Sequence, residues 1–224
     1  YVDRNRERFL DELFALIKQP SISAQNVGVA ECAGLLKSQM EAIGIPTRVL
    51  ATAGHPVVFG EVRAPDAKRT ILIYGHYDVQ PPDPLDLWHT PPFEPTIKDG
   101  RIWGRGTGDN KGQFFAHLKA VEAILKTVGR LPVNVKFLFE GEEEISSRSL
   151  RAFIETNRGL LAADYAFCSD GPMLPNHQPT ILFGVRGILH VEVSLKGANK
   201  DVHSGNLGVF VPAPAWRLVH FLNT

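Results

Sequence analysis

The stretch RTILIYGHYD, residues 69–78, decides the fold. Its apolar residues run together instead of alternating with polar ones, which is typical of a strand covered on both faces. On either side of this stretch, the apolar spacing changes repeatedly between the helical and the strand period. Helices predicted between apolar strands indicate an α/β fold, in which a mixed sheet is sandwiched by helices.

Four more strands and four helices are predicted in this part of the chain. The strands are TRVL (47–50), PVVFGEV (56–62), LPVNVKFLFE (131–140) and DYAFCSD (164–170). The helices are an amphipathic segment that Pro20 stops, residues 29–43, residues 112–128 and SLRAFIETN (149–157). Gly44 and Gly129 stand where C-terminal caps belong.

The pattern changes after TILFGVRG, residues 180–187. The next segment, ILHVEVSLKG (188–197), alternates strictly, as a strand with one solvated face does. A glycine-rich loop and a helix over about residues 213–222 follow. We therefore predict a first domain over residues 1–186 and the start of a smaller α+β domain over residues 187–224. The second segment is too short to enclose a core of its own, so we expect it to be incomplete.

Charge and composition argue against several partners. Lys+Arg and Asp+Glu both total 24, so no basic field is available to hold nucleic acid or an anionic membrane surface. Cys32 and Cys168 have no paired spacing, which suits a reducing compartment. The N-terminal segment does not resemble a signal peptide, and no apolar run approaches the roughly 20 residues of a membrane span. We expect a soluble, cytoplasmic protein.

Acidic side chains and one histidine follow the ends of the predicted strands. They are His76, Asp78, Asp109, Glu140, Glu142, Glu143, Glu144 and Asp170. Each has an ordinary explanation by itself, such as a loop histidine, a turn or a solvated start of a helix. Together at one sheet edge, however, so many carboxylates would repel one another unless cations were present.

Imidazole and carboxylate ligands together suit zinc. One shared carboxylate can hold two such ions about 3.5 to 4 Å apart, as in hydrolytic sites. Asp78 need not bind metal, because it is placed to accept the second ring N–H of His76. This would fix the tautomer of His76 and raise its basicity.

Seven ordered segments resemble the M20 family of di-zinc metallopeptidases, in particular its carnosinase-like, cytosolic nonspecific dipeptidase branch. They are YGHYDVQP, PFEP, DGRIWGRGTGDNKGQ, EGEEEISS, CSDGP, FGVRG and DVHSGNLG. The resemblance implies a zinc-peptidase-like catalytic domain followed by a lid and dimerisation domain. It also implies a homodimer, formed through the lid in the full-length protein, and a small peptide as substrate.

The resemblance also implies roles for individual residues. His76 and Asp170 would bind one Zn²⁺, Asp109 would bridge both ions and Glu144 would bind the second, with Mn²⁺ or Co²⁺ as possible replacements. Glu143 would be the general base in zinc-dependent hydrolysis of an amide bond. If the register is shifted by one residue, Glu142 would be the general base and Glu143 would bind the second ion.

Three further features follow from the resemblance. His203 matches a lid histidine that the family supplies to the oxyanion from the other subunit. The bond between Asp109 and Asn110 is expected to be cis. His117 matches no ligand of the family, so we predict that it is a surface or core residue.

The family's C-terminal part, with a further histidine ligand for the second zinc, has no counterpart in these residues, and we expect a fragment of a longer enzyme. The predicted function is hydrolysis of dipeptides or small peptides, of the dipeptidase or carboxypeptidase type. Two alternatives remain open at this stage. One is an N-acyl amino acid deacylase, and the other is a noncatalytic remnant of the fold that binds metal or dimerises.

Overall fold

The structure is a computed structural model that describes residues 1–173, 176, 178, 180–182 and 184–223. Its strands are β1 (Thr47–Leu50), β2 (Val57–Val62), β3 (Thr70–His76), β4 (Thr96–Lys98), β5 (Arg101–Trp103), β6 (Asn134–Glu140) and β7 (Tyr165–Cys168). Its α-helices are α1 (Arg6–Lys18), α2 (Val29–Ala42), α3 (Lys111–Val128), α4 (Leu150–Thr156), α5 (Arg158–Leu161), α6 (Ser204–Leu207) and α7 (Pro214–Leu222). Among the described residues, no helix is both long and apolar enough to cross a membrane.

Five of the strands form one sheet in the order β1-β2-β6-β3-β7. Strands β1, β2 and β6 pair antiparallel, whereas β3 runs parallel to both β6 and β7. The predicted mixed sheet is therefore confirmed. Because β3, β6 and β7 point the same way, the residues that follow them lie at one edge of the sheet.

Apolar side chains cover both faces of this sheet. On one face, Phe137 and Phe139 of β6 belong to a cluster that also contains residues of α1, α2 and α3. On the other face, Leu138 packs in a second cluster with Phe153 of α4 and Leu161 of α5. Successive residues of β6 thus alternate between two cores, which explains why its sequence is an unbroken apolar run.

One small hairpin was not predicted. Strands β4 and β5 pair antiparallel through Asp99 and Gly100, whose φ angles are 54° and 72°. Positive φ at both central residues is the geometry of a type I′ turn, for which Asp-Gly is a preferred sequence. The dipeptide was a usable signal for this hairpin.

The chain divides into two compact units, Tyr1–Met173 and Leu174–Thr224. The sheet, α1 to α5 and the small hairpin belong to the first unit. The second contains α6 and α7, and α7 confirms the helix predicted near residues 213–222. This division falls before the boundary that the sequence predicts after residue 186, which stays a prediction.

The strand predicted over residues 188–197 is wrong. These residues lie in no strand and are mostly exposed. Alternating apolar residues favour a strand only where a neighbouring strand accepts its backbone hydrogen bonds. Among the described residues of the second unit no strand is present, so this pairing partner is lacking.

Candidate metal centre

Three predicted ligands meet at the edge where the parallel strands end. His76 is the last residue of β3, Asp109 precedes α3, and Asp170 follows β7. The Nε2 atom of His76 lies 2.9 Å from Oδ1 of Asp109 and 3.2 Å from Oδ2 of Asp170. Ligand atoms of His76, Asp109 and Glu144 also lie within 4.8 Å of one another. The structure therefore brings together the four residues predicted to bind metal.

Asp78 holds the imidazole of His76 from the opposite side. Both side chains are completely buried. The Nδ1 atom of His76 lies 3.1 Å from the backbone carbonyl oxygen of Asp78 and 3.3 Å from its Oδ1. Either contact directs Nε2 of His76 toward Asp109 and Asp170, so the geometry agrees with the predicted orienting role of Asp78.

The carboxylate of Asp78 also accepts hydrogen bonds from the loop that carries Glu143 and Glu144. Its Oδ1 accepts a hydrogen bond from the backbone N–H of Glu143 at 3.2 Å, and its Oδ2 accepts one from Glu144 at 3.1 Å. Gln80 also donates to the Glu144 carboxylate at 2.8 Å. Asp78 thus ties the glutamate loop to the histidine that faces it.

Two of the four glutamates are engaged outside the ligand cluster. The buried carboxylate of Glu142 accepts from the backbone N–H groups of His55 and Ser149 at 3.1 and 2.8 Å. Glu140 accepts from the hydroxyl groups of Tyr74 and Ser147 at 2.5 and 2.8 Å. These contacts leave Glu143 and Glu144 as the residues of the run that face His76 and Asp109.

Electrostatics in this cluster favour protons or cations. Burial lowers the pKa of His76, but the hydrogen bond with Asp78 and the nearby carboxylates outweigh burial and raise this pKa to about 9. Burial and the neighbouring carboxylates raise the pKa of Glu143, and the same causes raise that of Glu144. Carboxylates that repel one another in this way are suited to share a cation.

Comparison with known proteins decides the family. The sequence model of peptidase family M20/M25/M40 matches residues 72–209, more than half of the chain. The chain belongs to this family. The matched residues include every predicted ligand, so the M20 family and the geometry point to the same edge of the sheet.

Several M20 proteins are similar to this chain. It is 34% identical to the beta-Ala-His dipeptidase of Homo sapiens, over 97% of this chain and 42% of that protein. It is 31% identical to the Cys-Gly metallodipeptidase dug1 of Schizosaccharomyces pombe, over 100% of this chain and 50% of that protein. The M20 family metallo-carboxypeptidase Sso-CP2 of Sulfolobus solfataricus superposes with a TM-score of 0.83 at 39% identity.

Each of these matched proteins is about twice as long as the part that aligns with this chain. The alignment with Sso-CP2 covers 96% of this chain and 49% of that one. The chain thus spans about half the length of the curated relatives it matches.

The donor set fits the divalent ions that an M20 metallopeptidase requires. One imidazole nitrogen and three carboxylates converge, and the other nitrogen of His76 is already engaged by Asp78. Neutral imidazole and carboxylate oxygen are ligands of Zn²⁺ and also suit Mn²⁺ and Co²⁺.

The segment after Asp109 is anchored to the C-terminal end of α1. The Asp109–Asn110 peptide bond is cis, as the family resemblance implies. The buried ammonium group of Lys111 donates to the carbonyl groups of Leu16 and Gln19 near the C-terminus of α1, at 3.0 and 2.8 Å. Burial lowers the pKa of Lys111. These contacts attach the loop that carries Asp109 to the first helix.

His203 lies in the second unit. It is the N-cap residue of α6, and its Nδ1 accepts a hydrogen bond from the backbone N–H of Gly205 at 3.1 Å. This contact is the local, structural role that a loop histidine often has. The predicted role of His203 at the oxyanion stays a prediction.

Sequence reasoning missed the residues that support the ligands. Asn110 accepts a hydrogen bond from the backbone N–H of His76 at 3.2 Å, and Gln113 contacts the loop that carries Asp170. His117, predicted as a surface or core residue, is half-buried and lies 2.6 Å from the hydroxyl of Ser169. The available signal was the position of these residues one, four and eight residues after Asp109.

Proposed function

We propose that this chain forms the metal-binding part of a dipeptidase that hydrolyses the peptide bond of dipeptides or short peptides. The observation that carries the proposal is the convergence of His76, Asp109, Asp170 and Glu144, with the carboxylate of Glu143 beside them. The dipeptidase relatives, named for Cys-Gly and beta-Ala-His substrates, support the substrate class. Because the chain spans about half of these relatives, the proposal concerns the intact protein.

The proposed ligands would hold two divalent ions, which we take to be Zn²⁺. His76 and Asp170 would hold one ion, Glu144 would hold the other, and Asp109 would contribute to both. When bound, such ions lower the pKa of a coordinated water and polarise the carbonyl group of the substrate. Asp78 keeps His76 in the tautomer that presents Nε2 as a ligand.

Glu143 is the proposed general base. Its carboxylate lies 4.0 Å from Nε2 of His76 and is 41% exposed, so it borders the ligands and remains open to solvent. Burial and the neighbouring carboxylates raise its pKa, which suits a group that takes a proton from water and later delivers it to the leaving amine. The contacts of Glu142 with His55 and Ser149 support this register over the alternative one.

The remaining expectations belong to the intact protein. We propose that it is a homodimer assembled through the lid that begins near residue 187. His203 of one subunit would then stabilise the oxyanion in the active site of the other. We also propose that the intact protein is cytoplasmic.

The test compares Glu143→Ala with Glu142→Ala in the intact protein. Glu143→Ala should lower turnover by about 10² to 10⁴-fold while the metal content stays unchanged, because it removes a base and no ligand. Glu142→Ala should retain turnover and lower the free energy of unfolding by about 2 to 4 kcal/mol, because it leaves two backbone N–H groups without an acceptor. Elemental analysis, hydrolysis of a dipeptide panel and denaturant titration measure the three quantities.

Several results would contradict the proposal. If Glu143→Ala loses metal, and Glu142→Ala loses turnover while its metal content stays unchanged, Glu142 is the base and Glu143 is the ligand. If the wild-type protein cleaves N-acyl amino acids and not dipeptides, the chain belongs to a deacylase. Bound metal without hydrolysis of either class would indicate a noncatalytic protein.

A further inference from the structure

Two side chains of helix α3 contact the residues on either side of Asp170. Gln113 donates from Nε2 to the backbone carbonyl of Gly171 at 2.8 Å. His117 lies with its Nε2 2.6 Å from the hydroxyl oxygen of Ser169. Gln113 and His117 are four residues apart, so they occupy the same face of the helix. Asp170 is therefore bracketed by hydrogen bonds from one helix face.

Gln113 also connects this segment to His76. Its Oε1 accepts a hydrogen bond from Nδ2 of Asn110 at 2.7 Å, while Oδ1 of Asn110 accepts one from the backbone N–H of His76 at 3.2 Å. Two side-chain amides thus form a continuous path from the end of β3 to Gly171. Asn110 is buried, so its amide has few alternative partners.

The segment with Asp170 needs such support. Strand β7 is the edge strand of the sheet, and all four of its residues are exposed. Within the part of the chain that the structure describes, it pairs on one side only, with β3, and the paired register ends at Tyr74 and Cys168. Asp170 lies two residues beyond this last pair, so the backbone ladder does not fix its position relative to His76.

We propose that Gln113 and His117 are positioning residues that set the separation between Asp170 and His76. The proposal rests on the proposed metal-binding function and deepens it, since it names the groups that preorganise one ion position. The Oδ2 of Asp170 and the Nε2 of His76 are 3.2 Å apart, within the range at which both atoms reach one cation. Without the contacts of Gln113 with Gly171 and of His117 with Ser169, Asp170 can move away from His76.

The chemistry at position 113 is specific. The side chain must donate to a carbonyl group and accept from an amide at the same time, which glutamine does and methionine does not. Gln113→Met keeps the length and the helix propensity but removes both hydrogen bonds. His117→Phe keeps an aromatic ring, which packs edge-on against Phe167 at 5.2 Å between centroids, and removes the contact with Ser169.

Gln39→Met is a matched control. Gln39 is also a half-buried helical glutamine, and its Nε2 donates to the backbone carbonyl of Glu12 at 2.7 Å. This contact joins α2 to α1 and involves none of the ligand loops. The control therefore loses a comparable hydrogen bond without disturbing Asp170.

The test titrates Zn²⁺ into the metal-free intact protein in competition with a chromophoric chelator. Metal-free melting temperatures are recorded alongside. Gln113→Met and His117→Phe should raise the dissociation constant of one zinc step by about 10 to 100-fold, the usual effect of removing a group that orients a ligand. Gln39→Met should leave every zinc step unchanged, although it also removes a side-chain hydrogen bond between two helices.

The outcomes separate the two proposals. If the wild-type protein binds Zn²⁺ and both α3 variants bind it equally well, the positioning role is overturned and the metal site stands. If the wild-type protein binds no Zn²⁺, both proposals fall. If Gln113→Met does not fold, the zinc affinity of His117→Phe tests the proposal. An unchanged affinity in that variant overturns the positioning role.

Discussion

Replacing Asp78 by asparagine removes the charge at the point where the histidine and the glutamate loop meet. The substitution keeps the size of the side chain, which is completely buried. The aspartate accepts hydrogen bonds from the backbone N–H groups of Glu143 and Glu144 and contacts Nδ1 of His76. An asparagine offers one oxygen and one NH₂ group in the same space, so one backbone N–H must face a donor.

The structure gives the size of the effect. One hydrogen bond to a charged group is lost and the other is weakened to a neutral one, at about 1 to 2 kcal/mol each. The backbone N–H that faces the NH₂ group stays unsatisfied in the interior, which costs about 1 to 3 kcal/mol. Removing a buried charge offsets part of this loss. We expect a net loss of about 3 kcal/mol, or a fall in melting temperature of about 6 to 12 °C for a unit of this size.

Asp78→Asn should also weaken metal binding by about 10 to 100-fold, because His76 loses the anion that raises its basicity. Differential scanning calorimetry of the metal-free protein and a zinc titration measure the two effects. Asp86→Asn is the control, since Asp86 is an exposed aspartate shortly after Asp78 in sequence. A melting temperature and a zinc affinity as high as those of the control would refute the role that we assign to Asp78.

Two other predictions concern the fold around the site. Burial raises the pKa of Glu122, but hydrogen bonds from Arg8 and Lys119 outweigh it and hold the pKa below the ordinary value of 4.5. Glu122→Gln should therefore lower the free energy of unfolding by about 2 kcal/mol at pH 7, and the difference should shrink as the pH falls through the depressed pKa. Urea titrations at several pH values measure it, and a difference that does not change with pH contradicts the assignment. In Gly141→Ala, the new Cβ would lie 2.5 Å from the hydroxyl oxygen of Tyr77, so we expect a loss of about 1 to 3 kcal/mol. Thermal unfolding tests this, and an unchanged melting temperature would show that the ring moves freely.

Sequence periodicity predicted most of the first unit and helix α7 of the second, but it failed at residues 188–197. Strands β3 and β6 were recognisable because both their faces are buried, and this produces apolar runs that few other elements have. The alternation in residues 188–197 was equally regular, yet no strand forms there. Periodicity reports which face a segment would bury, and only a pairing partner turns that preference into a strand.

The sequence likewise predicted only part of the candidate site. His76, Asp109, Glu144 and Asp170 were identified because each follows a strand or precedes a helix in a recognisable motif. The run of glutamates left two registers open, because sequence spacing does not show where a carboxylate points. The buried contacts of Glu142 with two backbone N–H groups supply that missing information and favour Glu143 as the proposed base.

The two supports of the candidate metal centre are independent and meet at His76. Asp78 joins the side chain of His76 to the loop of Glu143 and Glu144, so it couples one proposed ion position to the proposed base. Asn110 joins the backbone of the same histidine, through Gln113, to the segment of Asp170. A change at Asp78 should therefore disturb ligation and proton transfer together, whereas a change at Gln113 should disturb ligation alone. The two variants should differ because Asp78 holds the loop of Glu143 and Glu144, whereas Gln113 holds the segment of Asp170.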